Sequence, residues 1–357
     1  MDFLRKTAME SGLRNWLLFP TSDESVRFVA SHHGQLSKFF KLTVPPWDKL
    51  RWAVDKRLMH QLADDLDIDH AESFYPRSRD DLRNLKLSFP LLLKPTKHDQ
   101  VNRLTRDKVW VAENLQRLLA RYDEACEFLP AESLMVQELI AGGGECQYSY
   151  AAVCKDGHAL AKLTARRTRQ IPMDFGRAST FVETIEDPGI VEPSERFLAA
   201  IRYTGIVEIE FKRDPRTGTL KLLDINPRVW GWYSLCETSG LNFAYLLWLL
   251  YQGKPLPEVR TRAGVAWIRI STDLLTSVRE ILAGRMQIGS YLHTVPAATI
   301  WEPFAGDDPL PGLFEFPLLF MLVAKRFLRA PGLWPQPVDI RRRTATTSAG
   351  DIRNDQL

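Results

Sequence analysis

The chain reads as an α+β protein built around a large antiparallel sheet and entered through a small α/β fragment. Three stretches carry that reading. "VEIEFKRDPRTGTLKLLDINPR" (207–228) alternates apolar and charged residues on either side of a turn-forming "DPRTG". "ECQYSYAAVCKDGHALAKLTARRTRQ" (145–170) has the same alternation around an Asp-Gly turn, the pattern of a hairpin. Runs such as "DKLRWAVDKRLMHQLADDL" (48–66) instead space their apolar residues for a helix.

Taken in order, "NWLLF" (15–19) predicts a buried strand, and Ser22 or Asp23 opens a helix through "ESVRFVASHH". "VPPW" (44–47) breaks the chain, and Asp48 starts one helix over 48–66. Past Pro76, "SRDDLRNL" predicts a short capped helix and "FPLLLKP" (89–95) a buried strand ending at Lys94. The span 107–126 is helical in pattern, whereas "LMVQELI" (134–140) and "STFVETI" (179–185) read as strands. "PSERFLAAIRYT" predicts a helix; "LNFAYLLWLLYQG" (241–253) is apolar nearly all round, which predicts a buried one. "GVAWIRIS" (264–271) is a late strand. The end, "RRRTATTSAGDIRNDQL", is polar and is expected to be disordered. The resulting divisions are 1–55, 56–140, 141–255, an extension at 256–335 and a tail at 336–357. One strand with one or two helices cannot complete a doubly wound sheet. The fragment at 1–55 is therefore expected either to dock on the rest or to follow an absent N-terminal piece.

Composition narrows the function classes. With 45% hydrophobic and 25% charged residues the chain is ordinary for a globular protein. A net charge of +3 says little about nucleic acid, but no basic run is interleaved with aromatics as in a nucleic-acid groove, and no nucleic-acid partner is expected. Cys126, Cys146, Cys154 and Cys236 show no Cys-x-x-Cys spacing, so a disulfide framework or zinc knuckle is not expected. The start lacks the apolar core of a signal peptide, and a cytoplasmic location is the expectation. "FPLLFMLVAKRFLR" (316–329) sets basic residues behind an apolar block, as an interfacial membrane helix does. A buried helix or a partner contact is the preferred reading of that stretch.

The 207–228 hairpin also carries the chemistry. If Asp214–Gly218 form the loop, Arg213 faces Thr219 and Glu208 sits opposite Asp224, with Glu210 one rung away on the same face. Diagonal neighbours lie roughly 7–8 Å apart, and Asn226 joins that face by alternation. Two carboxylates and an amide oxygen suit Mg²⁺, which completes its shell with water and phosphate oxygens. Pro227 ends the strand and leaves Arg228 able to meet phosphate. Taken alone, the spacing fits a solvated hairpin face slightly better. Lys94, with its stem in an apolar strand, adds an anchor for phosphate. The seven histidines follow no catalytic or zinc spacing; His98, near that anchor, reads as a plain loop residue.

Lys56 in "VDKRLMHQLADDL", Lys94 in "FPLLLKP", "VQELIAGGGE" and "EIEF…LLDINPR" together resemble the ATP-grasp superfamily. The likeness covers roughly residues 15–250 and is to biotin carboxylase, carbamoyl phosphate synthetase and, above all, ATP-dependent carboxylate–amine ligases. It implies an ATP-grasp fold of two α+β subdomains clasping ATP, at 56–140 and 141–255, preceded by a partial pre-ATP-grasp domain. Glu210, Asp224 and Asn226 match the metal positions, the family's acid-to-acid separation selecting Glu210 over Glu208. Lys56 and Lys94 match the phosphate-binding lysines, and Arg228 the arginine beside the transferred phosphoryl group. Gln137, Glu138, Leu139 and Ile140 match the hinge that holds adenine, with Glu145 near the ribose. Arg166, Arg167 and Arg169 match a basic region facing the reaction centre; each is equally well a solvated strand residue.

This chain departs from the family in three places. Asp224 stands where most members have Glu, and "PTKHDQVNR" lacks the glycines that cover phosphates, so that either Lys97 offsets the loss or the grip on nucleotide is weaker. The pre-ATP-grasp domain is represented by only its second half. The resemblance implies ATP with Mg²⁺ (or Mn²⁺), a small-molecule carboxylate and an amine joined as an amide through an acyl phosphate. Amino acids, peptides and the amino or carboxylated sugars of a surface polymer all fit that chemistry. The alternative is a nucleotide-binding sensor or scaffold that retains the fold without turnover.

Overall fold

The computed structural model describes residues 1–96, 109–173, 175–176 and 178–329. Lys97, His98 and the tail at 336–357 lie outside them. The hairpin stretches form the centre of a seven-stranded sheet. Its members are β7 (Gln147–Lys155), β8 (His158–Ile171), β9 (Ala178–Ile185), β10 (Gly205–Arg213), β11 (Leu220–Asn226), β12 (Ala266–Arg269) and β13 (Ile300–Glu302). They lie in the order β11-β10-β7-β8-β9-β12-β13. All neighbours are antiparallel except β12 and β13, which run parallel. Because β12 and β13 extend this sheet, the division drawn at 255 cuts through one structural layer.

Period-two alternation buries both faces of the sheet. Tyr150, Ala152, Val207, Ile209 and Phe211 point to one side, and Ala151, Val153, Leu163, Ile206 and Trp267 to the other. The first side packs on the helix Pro188–Ala200 and on the N-terminal fragment, whose Val26, Leu42, Leu50 and Met59 share the same core. That fragment comprises α1 (Asp2–Glu10), α2 (Asp23–Ser31), α3 (His33–Leu36), α4 (Trp47–Val54) and α5 (Lys56–Asp65), with β1 (Leu17–Leu18) and β2 (Lys41–Leu42) paired parallel. It docks on the large sheet. Of the two expected openers of α2, Ser22 or Asp23, Ser22 is the cap, accepting from the Ser25 N–H.

A second sheet, β3 (Ser73–Phe74), β4 (Leu91–Pro95), β5 (Trp110–Ala112) and β6 (Leu134–Glu138), has the order β3-β6-β4-β5. Leu91, Leu93, Leu134 and Val136 on one face pack on Leu118 and Tyr122 of α6 (Leu115–Cys126). The opposite face carries Leu92, Lys94, Met135 and Gln137.

Several expectations are corrected. The helix expected over 107–126 begins only at Leu115, where Asn114 caps it; Trp110–Ala112 before it is a strand paired with β4. The single helix over 48–66 is two, because Asp55 turns extended and its carboxylate accepts from the Arg57 and Leu58 N–H groups. "SRDDLRNL" is a 3₁₀ turn, Asp81–Asn84. The apolar helix is Phe243–Tyr251, and it is not buried all round, since Tyr245 and Trp248 stack on each other at the surface.

Candidate active site

A cleft lies between the two sheets, and its walls follow from the alternation just described. Lys94, Met135 and Gln137 face it from the small sheet, and Arg167, Glu210 and Asp224 from the large one. Leu139, Ile140, Gly142 and Gly143 link the sheets along one side, and Lys56 enters from α5.

The floor is the β10–β11 hairpin, and its register differs from the one expected. Arg213 pairs with Leu220, one residue beyond Thr219, and a bulge at Leu223 shifts the ladder again. Glu210 therefore stands directly opposite Asp224, and Glu208 opposite Asn226. The extra residue of a bulge is left outside the ladder, and here the Leu223 carbonyl accepts a hydrogen bond from Lys56 Nζ at 3.2 Å. Lys56 also pairs with the Asp224 carboxylate. It reaches both because the Asp55 break makes it the first residue of α5.

Arg167, almost fully buried, forms an ion pair with Glu210 and donates from Nε to Ser179 Oγ at 2.7 Å. Burial alone would lower its pKa; Glu210 and Glu208 more than offset that and raise it. Asn226 donates from Nδ2 to Glu210 at 2.8 Å and to Glu208 at 3.2 Å. Its Oδ1 accepts from Arg228 Nη2 at 3.1 Å, and Arg228 Nε in turn donates to Asp23 at 2.5 Å. Asp23, which the sequence marks only as a helix opener, thus orients Arg228.

Glu208, read as a paired surface acid, is buried. It accepts from Ser149 Oγ at 2.8 Å and Trp232 Nε1 at 3.0 Å. Burial and the adjacent Glu210 push its carboxyl up to about 7. Nothing in the sequence singles out Ser149, Trp232 or Lys212. Lys212 donates to the carbonyls of Ile140 (2.9 Å) and Gly142 (2.7 Å), tying the link between sheets to β10. Only its place on the cleft side of β10, two residues past Glu210, could have signalled this. Gly144 lies so close to β8 that a Cβ there would stand 2.8 Å from the Thr168 carbonyl oxygen.

The remaining sequence-named residues divide. Lys94 donates to Gln137 Oε1 at 2.6 Å, and Gln137 to Ser73 Oγ at 2.8 Å. The Glu138 carboxylate is held by Lys221 and by the Glu72 N–H at 2.9 Å, so it braces the two sheets. Glu145 accepts from the Gly143 N–H at 3.1 Å within its own loop and is not part of the cleft wall. Of the three arginines only Arg167 faces the cleft. Arg166 pairs with Glu183, and Arg169 is buried against Asp273 (2.8 and 2.9 Å) and Thr294 (2.8 Å). Alternation and the bulges in β8 separate the three.

Behind Lys56 and Lys94, the buried His60 ring stacks on His70 with centroids 4.5 Å apart, and its Nδ1 lies 3.0 Å from the Tyr75 hydroxyl. Burial, with His70 and the two lysines adding to it, lowers the His60 pKa to about 2. The folded protein keeps it neutral while the unfolded chain protonates it near pH ~6.5. Its contribution to stability is therefore present above that pH and lost as pH falls through it, by about 1.4 kcal/mol per pH unit. Urea unfolding at pH 7, 6 and 5 is expected to show a shallower loss in His60→Leu than in wild type. Equal slopes would contradict this assignment.

The donor set suits a hard cation. Glu210, Asp224 and Asn226 present oxygen-bearing groups on one sheet face, and Mg²⁺ takes one or two carboxylates with waters and phosphate. Among the described residues no three or more His, Cys, Asp or Glu side chains form a ready cage. Turning the Asn226 amide about its terminal bond would present Oδ1 toward Glu210, which repels it unless a cation sits between them.

A family model described as "ATP-grasp in the biosynthetic pathway with Ter operon" matches residues 131–271, the span from β6 to β12 that forms most of this cleft. The chain has the ATP-grasp fold. D-aspartate ligase of Enterococcus faecium (strain Aus0004) is 22% identical over 255 residues, 68% of this chain and 60% of that protein. The chain thus spans about 60% of the length of that curated relative. Among solved structures, the biotin carboxylase domain of Hydrogenobacter thermophilus 2-oxoglutarate carboxylase, in complex with MgADP, ADP and bicarbonate, superposes with a TM-score of 0.58. It is 15% identical, covering 74% of this chain and 60% of that one. L-amino acid ligase from Bacillus licheniformis gives 0.54 at 16% identity, covering 74% and 63%. These neighbours share the ATP-grasp fold.

Proposed function

We propose that this ATP-grasp protein is an ATP- and Mg²⁺-dependent carboxylate–amine ligase. The observation that carries the reading is the direct pairing of Glu210 with Asp224 across a bulged hairpin. Lys56 and Arg167 contact these acids in a cleft walled by both sheets. Adenine would lie along Gln137–Ile140, where Leu92, Val109 and Leu139 supply an apolar wall. Lys94 and Lys56 would hold the phosphates. A divalent cation held by Glu210, Asp224 and Asn226 would supply charge neutralisation at the β- and γ-phosphates.

Arg228, steadied by Asp23, would orient the γ-phosphoryl group while a substrate carboxylate attacks it in line, releasing ADP and leaving an acyl phosphate. An amine then displaces phosphate to give the amide. Such a site works by positioning and electrostatics and uses no protein nucleophile. The names of the two ligase relatives favour an amino acid as one substrate.

The test is ADP release over a matrix of carboxylates and amines, including D- and L-amino acids. Turnover requiring both a carboxylate and Mg²⁺ supports the reading; tight nucleotide binding with no release under any pair would favour a non-catalytic module. Lys94→Met is expected to raise the nucleotide Kd roughly 10- to 100-fold, the worth of one charge-assisted hydrogen bond. Calorimetry checks this, and an unchanged Kd would move the phosphates elsewhere.

A further inference from the structure

The extension after β12 contains helices whose amphipathicity is inverted. In α7 (Ile270–Leu282) the buried residues are Ser271, Asp273, Thr276, Ser277 and Glu280. Its exposed ones include Leu274, Leu275, Val278 and Leu282, the last 83% exposed. The helix Leu310–Arg329 repeats the pattern from Leu310 to Met321. Its packed side holds Gly312 and Glu315, whose carboxylate accepts from Arg269 (2.9 and 3.1 Å) and Ser271 (2.8 Å). Leu310, Leu313, Phe314 and Phe320 are exposed, Phe320 to 77%. On the helix between them, Ile288–Thr294, Ile288 and Leu292 are also exposed.

A surface helix of a globular protein turns its apolar stripe to the core and its charges to water; these helices do the reverse. Scattered exposed leucines need no explanation, but large apolar residues exposed on three successive helices mark a contact surface. Of the two preferred readings of 316–329, a buried helix or a partner contact, the first is therefore overturned for the residues up to Met321, most of which are exposed. The occupant is indicated by charge. No ionisable residue interrupts 316–324, Lys325, Arg326 and Arg329 follow in the same helix, and Arg341–Arg343 come later in the sequence, against a single acid, Asp339, in 316–343. Apolar aromatics and leucines leading into a basic run suit the headgroup–acyl boundary of an anionic bilayer. No helix among the described residues is long and apolar enough to cross one.

We propose that the exposed apolar face of the helices at 270–329 lies on an anionic membrane, holding the cleft at its surface. The full chain is expected to co-sediment with vesicles of phosphatidylglycerol and phosphatidylcholine at least about tenfold more than with phosphatidylcholine alone, and less at high salt. The triple variant Leu313→Gln, Phe314→Gln, Phe320→Gln alters only exposed positions and should lose this binding while keeping its melting temperature and nucleotide affinity. Binding by wild type that the variant loses supports the proposal. Absence of vesicle binding overturns it, as does equal binding to both lipid mixtures. A dimer seen by light scattering that the variant abolishes, without any vesicle binding, would assign the face to a second copy of this chain.

Discussion

Under the proposed ligase activity, Glu210→Gln combined with Asp224→Asn is expected to reduce Mg²⁺-dependent ADP release on the order of 10³-fold, a loss typical of removing groups that stabilise transition-state charge. The two carboxylates face each other at the cleft floor, with Lys56 and Arg167 on them. Both substitutions keep size and keep an acceptor oxygen for the neighbouring cation, so the fold should persist. Asp224→Asn alone, at a part-exposed position, serves as a check that the loss is not misfolding. The double variant removes two negative charges while Lys56, Arg167 and Lys94 stay, so nucleotide should still bind but with its Mg²⁺ dependence gone. Calorimetry with and without Mg²⁺ reads this directly. Unchanged turnover together with unchanged metal dependence would refute the assignment of the hairpin as the metal site.

The second large effect concerns stability. Arg169→Met is expected to destabilise the protein by about 3–5 kcal/mol, the cost of leaving a buried charge uncompensated. Arg169 and Asp273 are both almost fully buried and doubly hydrogen-bonded, and the guanidinium lies over the Phe181 ring at 4.2 Å. Through this pair β8 is fastened to α7. Replacing both partners, Arg169→Met with Asp273→Leu, should restore most of the loss, since the penalty belongs to the orphaned charge. Differential scanning calorimetry of the two single variants and the double variant decides it. A single variant melting within a degree or two of wild type would show that the pair contributes nothing. Nucleotide affinity should hold throughout, because Arg169 does not reach the cleft.

The elements with strong period-two or capping signals are legible in the residues alone. The strands of the two hairpins, β4 with Lys94 at its end, and Ser22 as a cap all follow from local chemistry. Trp110–Ala112 is not legible in this way, because three residues set no period of their own and become a strand only by pairing with β4. The break at Asp55 is hidden for a related reason: an aspartate within a helical pattern serves equally as a surface residue or a cap. Register is the subtler difference. Placing Glu208 opposite Asp224 assumes an unbroken ladder, and one turn residue plus the Leu223 bulge move the partner to Glu210.

Which of the three arginines faces the cleft is likewise beyond local reading, since bulges reset the alternation along β8. The inverted helices escape it too, because an apolar stripe in sequence does not say whether it faces core or solvent. That depends on what the polar stripe finds: here Arg169 takes Asp273, and Arg269 takes Glu315.

The α+β class, and the acidic hairpin ending in Asn-Pro-Arg downstream of two lysines, can be read along the chain because propensity and periodicity are written in neighbouring residues. It takes the folded chain to bring Glu210 to Asp224, to steady Arg228 with Asp23, to bury Glu208 and to dock the N-terminal fragment on the sheet. Those facts are pairings between residues far apart in the chain, set by packing and register, and no local stretch encodes them.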